Sequence, residues 1–252
     1  MKLSIMMPAY NAASYIEVAL QSLLRQRNAA EMEIIVINDG STDSTSDILH
    51  RMSNQFDEIK LVETENGGVT RARNIALAHI APDADLVSFL DSDDLSPMGR
   101  FERDIETFRN NPDLDLVYST LRLFETMDRA LLEPTENSDT LDVRGIHLGA
   151  GLYKTSFIQS LGGFDEDFVQ AEDTDFLLRA LESQPKFMVT SEIGYYYRKH
   201  GGGLTREKST VVREFSRALL KSSKRRKVLG PDFQMPQDVF DIKAFTRNPR
   251  WA

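Results

Sequence analysis

Residues Leu86–Pro97 read LVSFLDSDDLSP: an apolar run of strand length passes into three carboxylates within four residues, Asp91, Asp93 and Asp94. Clustered carboxylates repel one another, and a divalent cation or a helix terminus removes part of that cost. An EF-hand loop starting at Asp91 needs glycine at its sixth position and glutamate at its twelfth, and Ser96 and Glu102 stand there, so half of that pattern is met. The strand-DxD opening also resembles a phosphoaspartate hydrolase, but Leu95 takes the place usually held by Thr or Val. As a cap, Asp94 or Ser96 suits a helix beginning near Pro97, although a cap needs one side chain and not three.

The same unit, an apolar run ending in polar residues and followed by an amphipathic stretch, recurs upstream. Strands are predicted at Leu3–Met7, Ile34–Ile37, Ile59–Val62 and Leu86–Leu90. The helices between them are predicted to open near Ser14, with Glu17 in capping-box spacing, at Thr45, at Val69 and at Met98. Alternating strands and helices of this size predict an α/β fold with a largely parallel, Rossmann-like sheet flanked by helices. Ligands of such sheets bind beyond the carboxyl ends of the strands. That rule collects PAYN (Pro8–Asn11), NDGSTD (Asn38–Asp43), NGGVTRARN (Asn66–Asn74) and DSDD on one edge. Each segment alone is compatible with a turn or cap, whereas four together favour a site.

Within these segments, the Asp39 carboxylate can accept a ring N–H of a base such as uracil. Gly67 and Gly68 allow close backbone approach to a ligand, and Arg73 can meet a phosphate or the base. Beyond Pro112 the pattern loosens. A strand is expected at Leu116–Leu123, a polar loop or hairpin over Glu125–Gly145, and helices near Ser156–Leu161 and Thr174–Glu182. Strands follow near Phe187–Val189 and Tyr195–Tyr197, and a helical run at Lys208–Lys227.

The chain has 252 residues, enough for one large core, with 39 acidic against 30 basic residues and a formal net charge of -9. That balance argues against a nucleic-acid partner held by bulk positive charge. With no cysteine, disulfides, thiolate zinc sites and cysteine nucleophiles are excluded. No segment reaches the roughly 18 uninterrupted apolar residues of a membrane span, and the opening apolar run is too short for a signal peptide, so a cytoplasmic protein is expected. KSSKRRK (Lys221–Lys227) carries five basic residues in seven. It suits a solvated helix end, and it would also suit peripheral contact with anionic lipid at the inner membrane face.

In order, PAYN, EIIVINDGSTD, NGGVTRARN, FLDSDD, LGGFDE, AEDTDFLLR and YRKH resemble the family 2 glycosyltransferases, over about residues 1–205. The resemblance implies a GT-A nucleotide-sugar fold over 1–205, with 206–252 expected as a C-terminal helix and tail packed on or extending from the same domain. It implies that Pro8, Tyr10, Asp39 and Arg73 line a nucleotide pocket, and that Asp91 and Asp93 form the DxD pair holding ribose, diphosphate and metal. His200 in YRKH would join that metal, and an imidazole ligand favours Mn2+ over Mg2+. In AEDTD, Asp173 would be the general base of an inverting transfer from a nucleotide-diphosphate sugar, UDP-linked by expectation. The acceptor would be a saccharide, lipid-linked or other hydroxyl group. The bland alternative for Glu172 and Asp173 is acidic residues complementing a helix dipole. Two further readings compete: a catalytically inactive GT-A-like nucleotide-sugar-binding protein, and a nucleotidyltransferase. The latter would lead one to expect a glycine-rich basic loop after the first strand, where PAYN stands.

Overall fold

The computed structural model describes residues 1–201, 208–236 and 239–241. Its first half alternates strand and helix: β1 (Lys2–Ala9), α1 (Ile16–Leu24), β2 (Glu31–Asp39), α2 (Thr45–Gln55), β3 (Ile59–Thr64), α3 (Val69–Ala78), β4 (Leu86–Phe89) and α4 (Arg100–Asn110). β1 pairs in parallel with β2 on one side and β4 on the other, and β2 pairs in parallel with β3. Helices cover both faces, so the central strands are buried almost throughout: Ile34, Ile35, Val36 and Ile37 are all inaccessible to solvent. With β1 flanked by β2 and β4, the chain reverses its winding there, and the crevice of such a sheet opens beyond the carboxyl ends of those strands. PAYN and DSDD lie at that point.

The second half extends the sheet beyond β4. It comprises β5 (Leu116–Phe124), the hairpin β6 (Met127–Asp128) and β7 (Glu133–Pro134), β8 (Thr140–Val143), β9 (Gly151–Lys154), α5 (Thr155–Ser160), α6 (Glu172–Glu182), β10 (Phe187–Arg198) and α7 (Lys208–Leu229). The eight-stranded sheet has the order β10-β5-β9-β4-β1-β2-β3, with β8 also on β5. β9 is antiparallel to both β4 and β5, and β10 is parallel to β5. The reversed strand β9, lying between β4 and β5, therefore leaves β5 and β10 pointing the same way as β1–β4. This carries YRKH, at the end of β10, to the edge that holds DSDD, where Leu95 bridges to Tyr196.

Several boundaries differ from those the sequence suggests. The Ser14–Glu17 capping box does not form: Tyr15 stands at the N-cap without a side-chain bond, and the Ala12 carbonyl takes the Tyr15 and Ile16 amides. The helix expected at Met98 begins at Arg100, because Gly99 adopts a left-handed conformation at φ 78°. The two late strands are one, β10, interrupted by register shifts between Val189, Ile193 and Tyr195. The polar stretch after Glu125 forms β6, β7 and β8, and β9 has no counterpart among the sequence expectations. Its four residues are too few to show a period.

α7 packs across α6, where Ala218 meets Phe168 and Leu178. Val239 joins the main core. Lys221 pairs with Asp165, and Arg225 bonds Glu182 at 2.5 Å and Asp175 at 2.8 Å, so part of the basic run faces the protein and not solvent. Among the described residues no helix is long and apolar enough to cross a membrane. Gly202 and Gly203 of YRKHGGG lie outside the described residues.

Candidate active site

The loops at the strand ends are tied to one another by side chains. Asn11, at φ 48°, accepts the Thr42 N–H at 2.8 Å, while its own N–H donates to Ser41 Oγ at 3.0 Å. Asp43 accepts the Thr45 N–H at 2.9 Å, and Thr45 Oγ1 takes the Ala12 N–H at 2.8 Å. Asp39 is buried, and its two oxygens accept the N–H groups of Gly67 and Gly68, each at 2.8 Å. A Cβ on Gly40 would lie 2.6 Å from the Asn66 amide nitrogen, so the close approach of NDG to NGG excludes a side chain there. The expected base-reading carboxylate thus also builds the NGG turn. Pro8 is buried in β1 opposite Ile37, and Tyr10 stands at the rim, 51% exposed.

Arg73 lies under the site and not at its surface. One turn into α3, with 5% of its surface exposed, it donates to Asp91 Oδ1 at 2.8 Å and pairs with Glu172 through its other terminal nitrogen. Burial disfavours its charge, but Asp91, Glu172 and Asp173 outweigh burial and raise its pKa further above the usual arginine value. Burial likewise pushes Asp91 up, and Arg73, then His147, more than compensate and hold it below the ordinary carboxylate value. For Glu172, burial wins over Arg73, and the neighbouring Asp173 and Asp91 add to it, so this carboxyl is raised. One cation therefore joins DSDD, 18 residues beyond it in sequence, to AEDTD, 99 residues beyond it.

The three carboxylates of DSDD have separate fates. Asp91 accepts from Arg73. Asp93, with a third of its side chain exposed, meets His200 Nε2 at 2.8 Å through Oδ2. The His200 ring rests on Tyr15 at a centroid separation of 4.4 Å, and Arg198 sits over the other ring of this group, Tyr15, at 5.2 Å. Asp94 does not cap α4. It is buried and accepts the Tyr195 hydroxyl at 2.7 Å and the Arg198 N–H at 2.7 Å, tying β10 to the loop. Burial first, then the charges of Asp93 and Asp91, raise its pKa well above the usual carboxylate value.

In AEDTD the acidic residues also divide. Glu172 holds Arg73, and Asp175 is buried between Arg179 at 3.0 Å and Arg225 at 2.8 Å. Asp173 is half-buried, its Oδ1 accepts the Thr174 N–H at 2.6 Å, and among the described residues it forms no ion pair. α6 is fixed relative to α3 by Asn74. Its side chain accepts the Phe164 N–H at 2.7 Å and donates to the Phe164 carbonyl at 3.0 Å and to Glu166 at 2.8 Å, while Phe164 stacks on Phe176 of α6 at 4.3 Å.

His147 has no sequence motif to mark it, and the structure places it beside Asp91. Its Nε2 is 3.8 Å from Asp91 Oδ2, and burial lowers its pKa despite Asp91 and Asp173. Ligand atoms of Asp91, Asp94 and His147 converge within 4.8 Å of one another. Together with the Asp93–His200 pair, this gives oxygen and imidazole donors that fit a divalent metal ion. Asp94 and His147 are the weakest of these donors, since both oxygens of Asp94 are already engaged and His147 Nδ1 accepts the Gly149 N–H, which leaves the proton on Nε2.

Comparison with known proteins gives the family and the fold. A family model described as Glycosyl transferase family 2 matches residues 4–142. The chain is 27% identical over 210 residues to the Bacillus subtilis minor teichoic acid biosynthesis protein GgaA, covering 78% of this chain and 47% of GgaA. It is 28% identical over 205 residues to the Staphylococcus aureus poly(ribitol-phosphate) beta-N-acetylglucosaminyltransferase TarS, covering 78% of this chain and 35% of TarS. The chain thus spans half or less of the length of these relatives. Among solved structures, S. aureus TarS 1-349 in complex with UDP-GlcNAc superposes with a TM-score of 0.72 at 23% identity, over 93% of this chain and 68% of that one. A mannosyltransferase from Pyrobaculum calidifontis in complex with GDP-Man and Mn2+ superposes at 0.68 with 18% identity, over 97% and 67%. The fold is GT-A, and the chain belongs to glycosyl transferase family 2.

Proposed function

We propose that this chain is an inverting glycosyltransferase that moves a sugar from a nucleotide-diphosphate donor, UDP-linked, to a hydroxyl acceptor in polysaccharide or glycoconjugate synthesis. The observation that carries this reading is the bridge from Asp91 through Arg73 to Glu172, which holds Asp173 beside DSDD. Asp173 accepts the proton of the acceptor hydroxyl as its oxygen bonds to the anomeric carbon. The bond from that carbon to the diphosphate breaks on the opposite face, and the nucleoside diphosphate leaves with the electron pair. The base needs reach more than a high pKa, because the hydroxyl acidifies as the new bond forms.

A divalent metal, when bound, supplies Lewis-acid stabilisation of charge growing on the diphosphate. Asp93, Asp91 and His200 would hold it, and an imidazole in that set favours Mn2+ over Mg2+. Pro8, Tyr10, Asp39 and Arg73 shape the nucleotide side: Tyr10 offers an exposed ring for stacking, Asp39 a buried acceptor whose two oxygens retain further lone pairs, and Arg73 a positive charge beneath Asp91. The UDP-GlcNAc of the TarS complex supports a uridine donor, and the GDP-Man complex shows that the fold also accepts guanosine in other proteins. The C-terminal segment is read as part of the same unit, because α7 packs on α6 and Val239 enters the main core. Along α7 the exposed Val212, Leu219 and Leu220 are followed by the exposed Lys224 and Lys227, and this supports peripheral contact with anionic lipid.

The test is a panel of UDP-, GDP- and dTDP-sugars with and without Mn2+, with release of nucleoside diphosphate as the readout. Release that depends on metal and on one nucleotide supports the assignment. Release of pyrophosphate instead would replace it with nucleotidyl transfer.

A further inference from the structure

His147 enters the site from the segment between β8 and β9, which supplies no other side chain to Asp91 among the described residues. Its backbone is pinned from below: Tyr118, buried in β5, accepts the His147 N–H at 3.0 Å and donates to the Gly145 carbonyl at 2.7 Å. The ring lies against Tyr195 at 4.4 Å and against Tyr197, edge to face, at 5.4 Å. Its Nδ1 accepts the Gly149 N–H at 3.2 Å, so the neutral ring carries its proton on Nε2. A Cβ at Gly149 would fall 2.1 Å from the Tyr195 ring, so the residue that fixes this tautomer has to be glycine.

Nε2, with its proton, therefore stands on a rigid mount 3.8 Å from Asp91 Oδ2. That separation is too long for a direct hydrogen bond. It is the separation of two groups that share one small polar atom: an oxygen about 2.8 Å from each completes the triangle. The pair is complementary in the right sense, since the imidazole donates, the carboxylate accepts, and a hydroxyl does both. The gap is reachable, with 12% of the His147 and 30% of the Asp91 side chain exposed. Asp91 Oδ1 is occupied by Arg73, which leaves Oδ2 as the oxygen available to a ligand.

We infer that His147 Nε2–H and Asp91 Oδ2 form a hydroxyl-binding pair of the donor site, which makes His147 a binding and specificity-determining residue. The inference rests on the nucleotide-sugar reading above. The hydroxyl belongs to the ribose of the nucleotide or to the transferred sugar, and both are vicinal alcohols of the same chemistry.

Isothermal titration of the Mn2+-loaded protein with UDP, 2′-deoxy-UDP, 3′-deoxy-UDP and UDP-GlcNAc separates the two sources. His147→Ala is expected to weaken binding about tenfold, the effect of losing one hydrogen bond with a charged partner in the network. If the partner is ribose, the loss is seen with UDP itself. One deoxy form then costs the wild type about tenfold and the His147→Ala variant little, because both changes remove the same contact. If the partner is the sugar, UDP binds the variant normally and UDP-GlcNAc does not. His147→Gln, whose amide reaches the Nε2 position, should recover most of the affinity, and His147→Asn, whose amide overlays Nδ1, should not. Equal binding of both ligands by wild type and His147→Ala overturns the inference, as does failure of Gln to outperform Asn, which would mean the ring only packs. Should His147→Ala fail to fold, the Gln and Asn pair still decides. A wild type that binds no nucleotide removes the donor-site reading, and this inference with it.

Discussion

His200 Nε2 lies 2.8 Å from Asp93 Oδ2, although 107 residues separate them in the chain. The pair sits where β10 runs out beside DSDD, and each member would offer one ligand atom to the proposed metal ion. Asp93→Ala is expected to abolish metal-dependent strengthening of nucleotide binding, and His200→Ala to weaken it about 10- to 100-fold, as for loss of one metal ligand or its close partner. Titration of UDP with and without Mn2+ checks both. Undiminished metal dependence in Asp93→Ala would place the ion elsewhere.

In the proposed reaction Asp173 has a role that its neighbours do not share. Asp173→Asn should bind nucleotide with near wild-type affinity while kcat falls about 10²- to 10⁴-fold, the range for a lost general base. Steady-state kinetics with direct nucleotide binding would show the split, and full turnover by the variant would remove Asp173 from the reaction.

Arg73 is expected to matter first for stability. Removing it strands Glu172, buried and raised in pKa, and Asp91 without their shared cation, so Arg73→Ala should cost about 3–5 kcal/mol in urea unfolding. Arg73→Lys should recover only part of this, because one ammonium cannot span two carboxylates as the planar guanidinium does.

Asp94 gives the protein a pH dependence of known sign. Its folded pKa is raised, so between the ordinary carboxylate value and that raised value the folded state binds more protons than the unfolded one, and stability falls as pH rises through the window. Asp94→Asn should flatten this fall, measured by urea unfolding from pH 4 to pH 8. The two chains would differ most at the alkaline end, in favour of the variant. A parallel pH dependence in both would contradict the assignment.

Gly163 and Asn74 form a tight contact: a Cβ at Gly163 would lie 2.8 Å from Asn74 Oδ1, which is held by the Phe164 N–H. Gly163→Ala should destabilise by about 1–3 kcal/mol, the usual cost of overpacking. The same change in an Asn74→Ala background should cost distinctly less, and equal costs would show that the two residues are not coupled.

The alternation of apolar runs and polar segments through residue 110 determined the α/β class, the parallel core and the edge on which PAYN, NDGSTD, NGGVTRARN and DSDD meet. Those features follow from local periodicity and from the direction of parallel strands, both of which are written in consecutive residues. The order of motifs likewise led to the family and to Asp93 with His200 as neighbours.

Only the tertiary structure decided what each charge meets. Arg73, expected toward phosphate or base, lies beneath Asp91 and Glu172. Asp39 also holds the NGG turn. Asp94 ties down β10 in place of capping α4, and two of the five cations in KSSKRRK face acidic residues of the domain. His147 shows the reason most plainly: it belongs to no periodic element, and the reversed strand β9 places it against a carboxylate 56 positions earlier in the sequence. Partners that far apart are set by sheet order and by burial, which raise or lower each pKa according to what surrounds it in space, and neither quantity is a property of a short stretch of sequence.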